Sequence, residues 1–496
     1  MNILLVYPEF PDTFWSFKHA LRFIRKKVSS QPLGLLTVAA MLPKEWNKRL
    51  VDLNCQELMQ KDLDWADYVY LSAMSIQKKS AIEIIKLCND SGTKIVAGGP
   101  LFTAEYELFD TVDYFVLNEA EITLVDYLRD LEKGKPKRIY SSDEFPDIKN
   151  TPAPLWDLLD FNSYATMNIQ YSRGCPFNCE FCNVTTLFGH KPRTKTTVQI
   201  IDELNALYNT GWRKNVFFVD DNFIGNKNIL KNELLPALIK WRKGKKGISF
   251  NTEVSINLAD DDELIKMMVS AGFDTVFIGI ETPDELSLAE CNKKQNLNRD
   301  LIHCIKKLQQ AGLQVQGGFI LGFDNDTHQT FQRLTDFIQK SGIVTAMVGL
   351  LQAPNDTQLY KRLMKEGRIT ENMAGDNVDG TTNIIPVMNI ETLISGYKNV
   401  MNQLYSPKLF NTRIKTFLKH YKAPDLKIKH GFVDFYTNIQ AFLRTIYILG
   451  ILDKHRIPYW NLFIWTLLRK PALMSLSITF AIYGYHFRII CEKHIQ

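Results

Sequence analysis

Three of the chain's eight cysteines, Cys175, Cys179 and Cys182, fall within the eight residues "CPFNCEFC". The spacing C-x3-C-x2-C gathers three soft thiolate donors on one short loop, and that is the chemistry of zinc or of iron-sulfur binding. Four thiolates would fill a zinc site or complete a cubane cluster, but no fourth cysteine or well-spaced histidine lies within reach in the local sequence. Three ligands on a four-iron cluster leave one iron open. The competing reading is a zinc knuckle completed by His190 or a distant cysteine, although structural zinc usually draws on paired C-x2-C hairpins. The other cysteines, Cys55, Cys88, Cys291, Cys304 and Cys491, are scattered singly and read as small buried hydrophobes in a reducing compartment.

A loop of this kind needs a scaffold, and 496 residues exceed the size at which single cores stop growing, so two or three domains are expected. The apolar share of 45% and charged share of 23% are those of a globular protein. A formal charge of +5 is mild for this length and does not argue for a nucleic-acid partner. The start "MNILLVYPEF" has no basic n-region, long apolar run and small-residue cleavage site, which points to the cytoplasm.

Residues 1–140 alternate apolar runs such as "NILLVY", "YVYLSAM" and "KIVAGGP" with helical stretches, the mark of a parallel sheet covered on both faces. The expected fold is a doubly wound, flavodoxin-like (Rossmann-like) α/β domain, with any ligand beyond the carboxyl ends of its strands. Residues 141–163 carry three prolines and little periodicity and read as a linker. Over 164–382, strands at "MNIQYS", "NVFFVD", "ISFNTEVS", "TVFIGI", "LQVQGGFIL" and "VTAMVGLL" alternate with helices, which predicts a partial (β/α)6 TIM-type barrel. Chemistry in such a barrel sits at the carboxyl ends of the strands, and the cysteine loop follows the first one.

Residues 383–496 form a third, α-helical domain rich in aromatic and basic residues. Its run Pro471 to Phe487 has 17 residues without Asp, Glu, Lys or Arg, just short of the ~20 that span a bilayer, and reads first as a buried helix. The amphipathic, basic-flanked "WNLFIWTLLRK" leaves peripheral membrane contact as an alternative. Trp460, Phe463, Trp465 and Phe487 are compatible with a hydrophobic substrate, although aromatics at helical spacing are more often core.

The stretch "RGCPFNCEFC" resembles the cluster motif of radical SAM enzymes in its spacing and in Phe181 before the last cysteine. The resemblance implies that Cys175, Cys179 and Cys182 hold a 4Fe-4S cluster whose open iron is chelated by S-adenosylmethionine. Phe181, Asp220, Asp221 and Asn222 of "FFVDDNF", Glu253 and Ser255 of "NTEVS", and Glu281 of "FIGIET" would then meet that ligand. The family often has Gly-Gly-Glu where this chain has Asp220, Asp221 and Asn222, and capping of strand and helix ends would explain the acidic and hydroxyl residues too.

Residues 1–140 resemble the cobalamin-binding domain that many radical SAM enzymes carry ahead of the barrel. The likeness rests on Pro32, Gly34, Asp52, Ser72, Ser75, Gly98, Gly99, Pro100 and Glu119, with Gly98 and Gly99 expected to admit the corrin closely. The D-x-H-x-x-G signature is absent, so no histidine ligand to cobalt is implied, and a domain that keeps the fold without binding cobalamin is the alternative.

Over nearly its whole length the chain looks most like the subgroup with a C-terminal domain of unknown function that includes hopanoid methylases. The implied activity is cobalamin-dependent methylation of an unactivated carbon, with a hopanoid-like polycyclic lipid as a candidate substrate and a flavodoxin or ferredoxin as electron donor. The implied mechanism is hydrogen abstraction by a 5'-deoxyadenosyl radical, followed by methyl transfer from methylcobalamin. Two other readings are a different radical rearrangement or cyclisation with the same cofactors, and a cobalamin- or metal-binding module without turnover.

Overall fold

A computed structural model describes residues 1–370, 375–376, 378–424 and 432–494, without the side chains of 432–438 and 494. The first sheet contains β1 (Asn2–Tyr7), β2 (Asn47–Asp52), β3 (Tyr68–Ser72), β4 (Lys94–Gly98), β5 (Tyr114–Val116) and the short β6 (Ile139–Tyr140). All pairs are parallel, in the order β2-β1-β3-β4-β5-β6, which is the flavodoxin order with one added edge strand. Leu4 and Val6 pack into the core on one side of the sheet while Ile3 and Leu5 pack on the other. A strand covered on both faces therefore reads as an unbroken apolar run.

The second sheet begins with β7 (Met167–Ile169), which breaks at Gln170 rather than running on to Ser172. The break follows from Asp220, whose carboxylate accepts the amides of Tyr171 and Ser172 and takes them out of the ladder. Ser172–Arg173 (β8) and Arg193–Thr194 (β9) form a separate antiparallel pair at the base of the cysteine loop. Then come β10 (Val216–Phe218), β11 (Phe250–Val254), β12 (Phe273–Glu281), β13 (Gln314–Leu321) and β14 (Ala346–Leu350). β7 and β10 through β14 pair in parallel and in sequential order with helices between them, the six-unit partial barrel expected.

The 141–163 segment is no free linker. Ile148 and Trp156 are buried, and the Leu155 amide donates to the Leu36 carbonyl (3.1 Å). The C-terminal helices Ile390–Leu404, Pro407–His420, Arg456–Arg469 and Met474–His494 share a core with the barrel, while Phe432–Thr445, continuing through Ile446–Leu452, packs Leu449 into a smaller cluster with Ala20, Phe23, Tyr459 and Ile482. Residues Pro471–Lys493 are long and apolar enough to cross a bilayer by length and composition, yet Phe480, Phe487, Ile490 and Cys491 are buried in the fold. Phe487 stacks on Phe14 with centroids 4.0 Å apart, Phe463 stacks on Phe442, and the Trp460 indole donates to the Gly450 carbonyl. These aromatics join helical elements, in line with the expectation that aromatics at helical spacing are more often core. Trp465 is half-buried against the same core.

Candidate active site

The cysteine loop is the excursion between β8 and β9. Gly174 has φ +92°, and a Cβ there would lie 2.8 Å from the Gly189 carbonyl, so the loop can close only on a glycine. Burial above all, with the neighbouring thiols adding to it, pushes the Cys175 thiol up and the Cys182 thiol to about 12. Gln295 Nε2 donates to Cys179 Sγ at 3.7 Å. Among the described residues no group of three or more His, Cys, Asp or Glu converges on a single ion, and His190 is exposed. The ligands of a four-iron cluster bind different irons and need not meet at one point.

Charged residues brace this loop from three sides. Glu180 receives a two-pronged ion pair from Arg362 (2.7 and 3.1 Å) on the helix Gln358–Lys365. Lys293 pairs with Glu281 at 2.6 Å and lies 6.0 Å from the Phe181 ring. Burial works against its charge, but Glu281 and the thiols of Cys179 and Cys182 hold its pKa above the usual lysine value. Glu281 itself has φ +63°, unusual for a residue with a side chain, beside a register shift between β12 and β13. From the first domain, Glu119 takes a two-pronged pair from Arg193 (2.6 and 3.0 Å) and a bond from Arg173 (2.5 Å), while Glu121 takes Arg173 at 2.8 and 3.0 Å.

The remaining barrel candidates divide into braces and free groups. Both oxygens of Asp220 are engaged by Tyr171 and Ser172, and burial pushes its pKa to about 7, so it shapes the loop's approach rather than facing a ligand. Asp221 accepts the Gly174 amide at 3.1 Å, next to the first cysteine. Asn222 Nδ2 donates to Ser255 Oγ at 3.3 Å, and Ser255 donates to Asn257 at 2.6 Å. The Glu253 side chain has no hydrogen-bond or ion-pair partner among the described residues. Burial, then Asp221 and Asp220, push its pKa to about 8.

Glu253 belongs to the barrel's inner face. Along β10 to β14 fully buried residues alternate with half-buried Phe217, Asn251, Glu253, Phe277 and Met347, so one face packs under helices and the other borders open space. Trp15, from the segment after β1, closes over it: its indole donates to Met347 Sδ (2.9 Å) and its ring meets Phe277 edge-on at 5.6 Å. A separate cavity of about 1070 Å³, lined by Arg242, Lys245 and Lys307 among others, opens near the amino-terminal ends of the strands, opposite this chemistry.

In the first domain, Ser72, Gly98 and Gly99, with Ser75 and Pro100 beside them, gather at the carboxyl ends of β3 and β4, and Ser72 is in register with Gly98. The physical reason for the glycines differs from that expected. A Cβ on Gly98 would lie 2.6 Å from the Val116 carbonyl, and one on Gly99, with φ +89°, would lie 2.5 Å from Ser72 Oγ. The strand ends themselves crowd both positions. Gly34, exposed just after buried Pro32 in the helix Leu33–Met41, has nothing within 4 Å of its would-be Cβ. Asp52 is buried, accepts from Tyr164 Oη at 3.0 Å, and so ties β2 to the approach to the barrel. Glu119, expected among cobalamin contacts, has both oxygens engaged by arginines and links the sheet to the cysteine loop.

Three family descriptions match successive parts of the chain: the B12 binding domain over residues 26–128, the radical SAM superfamily over 169–338, and a domain of unknown function (DUF4070) over 357–496. An uncharacterized methyltransferase of Synechocystis sp. is 39% identical over 98% of this chain and 91% of its own length. The hopanoid C-2 methylase of Rhodopseudomonas palustris is 31% identical over 94% of this chain and 90% of its own. The chain belongs to the cobalamin-binding radical SAM methyltransferase family. Its fold matches that of the cobalamin-dependent S-adenosylmethionine radical enzyme OxsB, with a TM-score of 0.64 over 99% of this chain and 79% of that one at 17% identity.

A radical SAM methyltransferase of this family uses a 4Fe-4S cluster, S-adenosylmethionine and cobalamin. The donor set here fits: three thiols on one loop, a buried cation beside them, and an unpartnered Glu253 on the adjoining inner face. The sequence reading missed Lys293, Arg173, Arg193, Arg362, Gln295 and Trp15. Arg173 alone had a local signal, since it stands within "RGCPFNCEFC". The others reach the loop only through the fold.

Proposed function

We propose that this chain is a C-methyltransferase acting on an unactivated carbon of a polycyclic, hopanoid-like lipid. The observation that carries the reading is similarity to hopanoid C-2 methylase across 94% of the chain, including the C-terminal helices. When bound, the cluster with S-adenosylmethionine supplies hydrogen-atom abstraction and cobalamin supplies the methyl group. In this reading Cys175, Cys179 and Cys182 hold the cluster, and Lys293 with Glu281 sets the charge beside it. Asp221, Asn222, Glu253, Ser255 and Phe181 border the S-adenosylmethionine. The cobalamin lies on Pro32, Gly34, Ser72, Ser75, Gly98, Gly99 and Pro100, at the carboxyl ends of the first sheet.

The units of this enzyme are 1–140 for cobalamin, 141–163 as connector, 164–382 for the radical chemistry and 383–496 as helical domain. Trp15, Phe277 and Met347 give the inner face the apolar character that a hydrocarbon skeleton needs, with water kept away from the reacting carbon. The same reading includes a flavodoxin- or ferredoxin-type donor and a cytoplasmic location with peripheral contact to the bilayer.

The test is anaerobic reconstitution with iron, sulfide and cobalamin, then incubation with a pentacyclic hopanoid in detergent and a low-potential reductant. Methylated lipid should form together with 5'-deoxyadenosine and S-adenosylhomocysteine, and each of Cys175→Ala, Cys179→Ala and Cys182→Ala should abolish both nucleoside products. Formation of 5'-deoxyadenosine without S-adenosylhomocysteine or methylated lipid would sink the methyltransferase reading.

A further inference from the structure

The apolar surface of this chain is unevenly distributed. Of the 24 exposed large apolar side chains among the described residues, nine fall between Ile439 and Leu468. They sit on two packed helical segments, one ending at Leu452 and the other running Arg456–Arg469. Phe442 stacks on Phe463 and Trp460 seats on Gly450 between the two. On the first, Ala441, Thr445 and Leu449 turn inward, while Leu443, Tyr447 and Ile451, four residues apart, turn out. On the second, Tyr459, Leu462 and Thr466 are buried, while Ile457, Ile464 and Leu468 are 69%, 51% and 74% exposed. Each segment thus has an apolar face on the body and a second apolar face on solvent, which core packing does not explain.

Charge selects the occupant. From 439 to 475 the only acidic residue is Asp453, and Arg488 neutralises it from within the fold. The same stretch carries Arg444, Lys454, Arg456, Arg469 and Lys470. Arg456 and Arg469 bracket the second helix, are exposed, and have no acidic partner among the described residues. An exposed apolar stripe framed by unpaired cations matches an anionic lipid bilayer surface, with the side chains in the acyl boundary and the guanidinium groups at the phosphates.

We propose that this helical pair docks the enzyme on an anionic bilayer, lying in the interface rather than crossing it. The inference deepens the lipid-methylation reading, because a polycyclic lipid is met at a bilayer, and it rests on that reading only there. The test is co-sedimentation of the full reconstituted chain with phosphatidylcholine vesicles, with and without phosphatidylglycerol. The wild-type protein should bind the anionic vesicles, less tightly as salt rises.

The Ile464→Asp, Leu468→Asp variant should lose about tenfold or more in partition. Arg456→Gln with Arg469→Gln should cut the preference for phosphatidylglycerol by about fivefold or more. Leu108→Asp, an exposed apolar site on the first domain, should change nothing. Equal thermal midpoints across the set exclude misfolding. The proposal is overturned if the wild type stays in the supernatant with both vesicle types, or if the aspartate variant partitions like the wild type. A wild-type dimer that this variant turns into a monomer would also overturn it, by making the face a contact between copies. Methylation in detergent without vesicle binding defeats this inference alone, and vesicle binding without methylation defeats only the substrate reading.

Discussion

Glu119, at the start of the helix Ala120–Glu132 in the cobalamin-binding domain, grips Arg193 through both carboxylate oxygens. Arg193 ends the cysteine loop, and Arg173, which begins it, binds Glu119 and Glu121 together. One acidic helix start therefore holds both ends of the cluster loop. All four side chains are largely buried, so removing one partner leaves an uncompensated charge. Arg173→Ala should cost about 3–5 kcal/mol in urea unfolding, and Glu119→Gln combined with Arg193→Met should cost less than the sum of its singles.

Lys293 acts electrostatically on the thiols, and it is paired with Glu281. Gly279 makes the room, since a Cβ at that position would collide with both partners. Lys293→Met should destabilise the fold by about 3–5 kcal/mol by leaving Glu281 buried and unpaired. It should also move the cluster's reduction potential in the negative direction, because positive charge beside the cluster favours the reduced form. Lys293→Arg should restore most of both. A redox titration followed by electron paramagnetic resonance reads the second effect, which loss of stability alone would not produce.

Local rules made the scaffold legible. The unbroken apolar strands, the period of the helices and the C-x3-C-x2-C spacing each belong to a single stretch of chain, and they placed all six barrel strands and the doubly wound class of the first domain. The braces were not legible for the same reason. Arg362 meets Glu180 across 182 positions and Trp15 meets Met347 across 332, so no window of sequence contains either contact. Asp220 and Glu119 were found as strand-end acids, but their partners decide their role, and those partners come from other elements.

The two kinds of glycine at the proposed cobalamin surface respond oppositely to a methyl group. Gly98→Ala brings a Cβ to 2.6 Å from a strand carbonyl and should destabilise the protein by about 1–3 kcal/mol with or without cobalamin. Gly34 lies in a helix with open space around it, so Gly34→Ala should stabilise the cobalamin-free protein by about 0.5–1 kcal/mol. If the corrin lies over this helix, the same change should weaken cobalamin retention, read from the visible spectrum after gel filtration. A variant that gains stability and keeps full cobalamin occupancy would remove Gly34 from the cobalamin surface.

Glu253 gives the cofactor-free protein a pH signature. Its pKa of about 8 in the fold, against 4.5 for an ordinary glutamate, means that the folded chain keeps a proton which the unfolded chain releases. That proton's contribution is present in full below pH 4.5 and disappears as pH rises through about 8. A tenfold difference in proton affinity between the folded and unfolded chain is worth about 1.4 kcal/mol, so the decline should amount to a few kcal/mol. Glu253→Gln cannot ionise and should melt at a higher temperature than the wild type at pH 8 and at nearly the same temperature at pH 4.5. A smaller slope of the same sign should persist up to about pH 7, because Asp220 is raised in the same way from 3.8. If the two proteins lose stability in parallel across this range, Glu253 is ionised in the fold and already has a counter-charge.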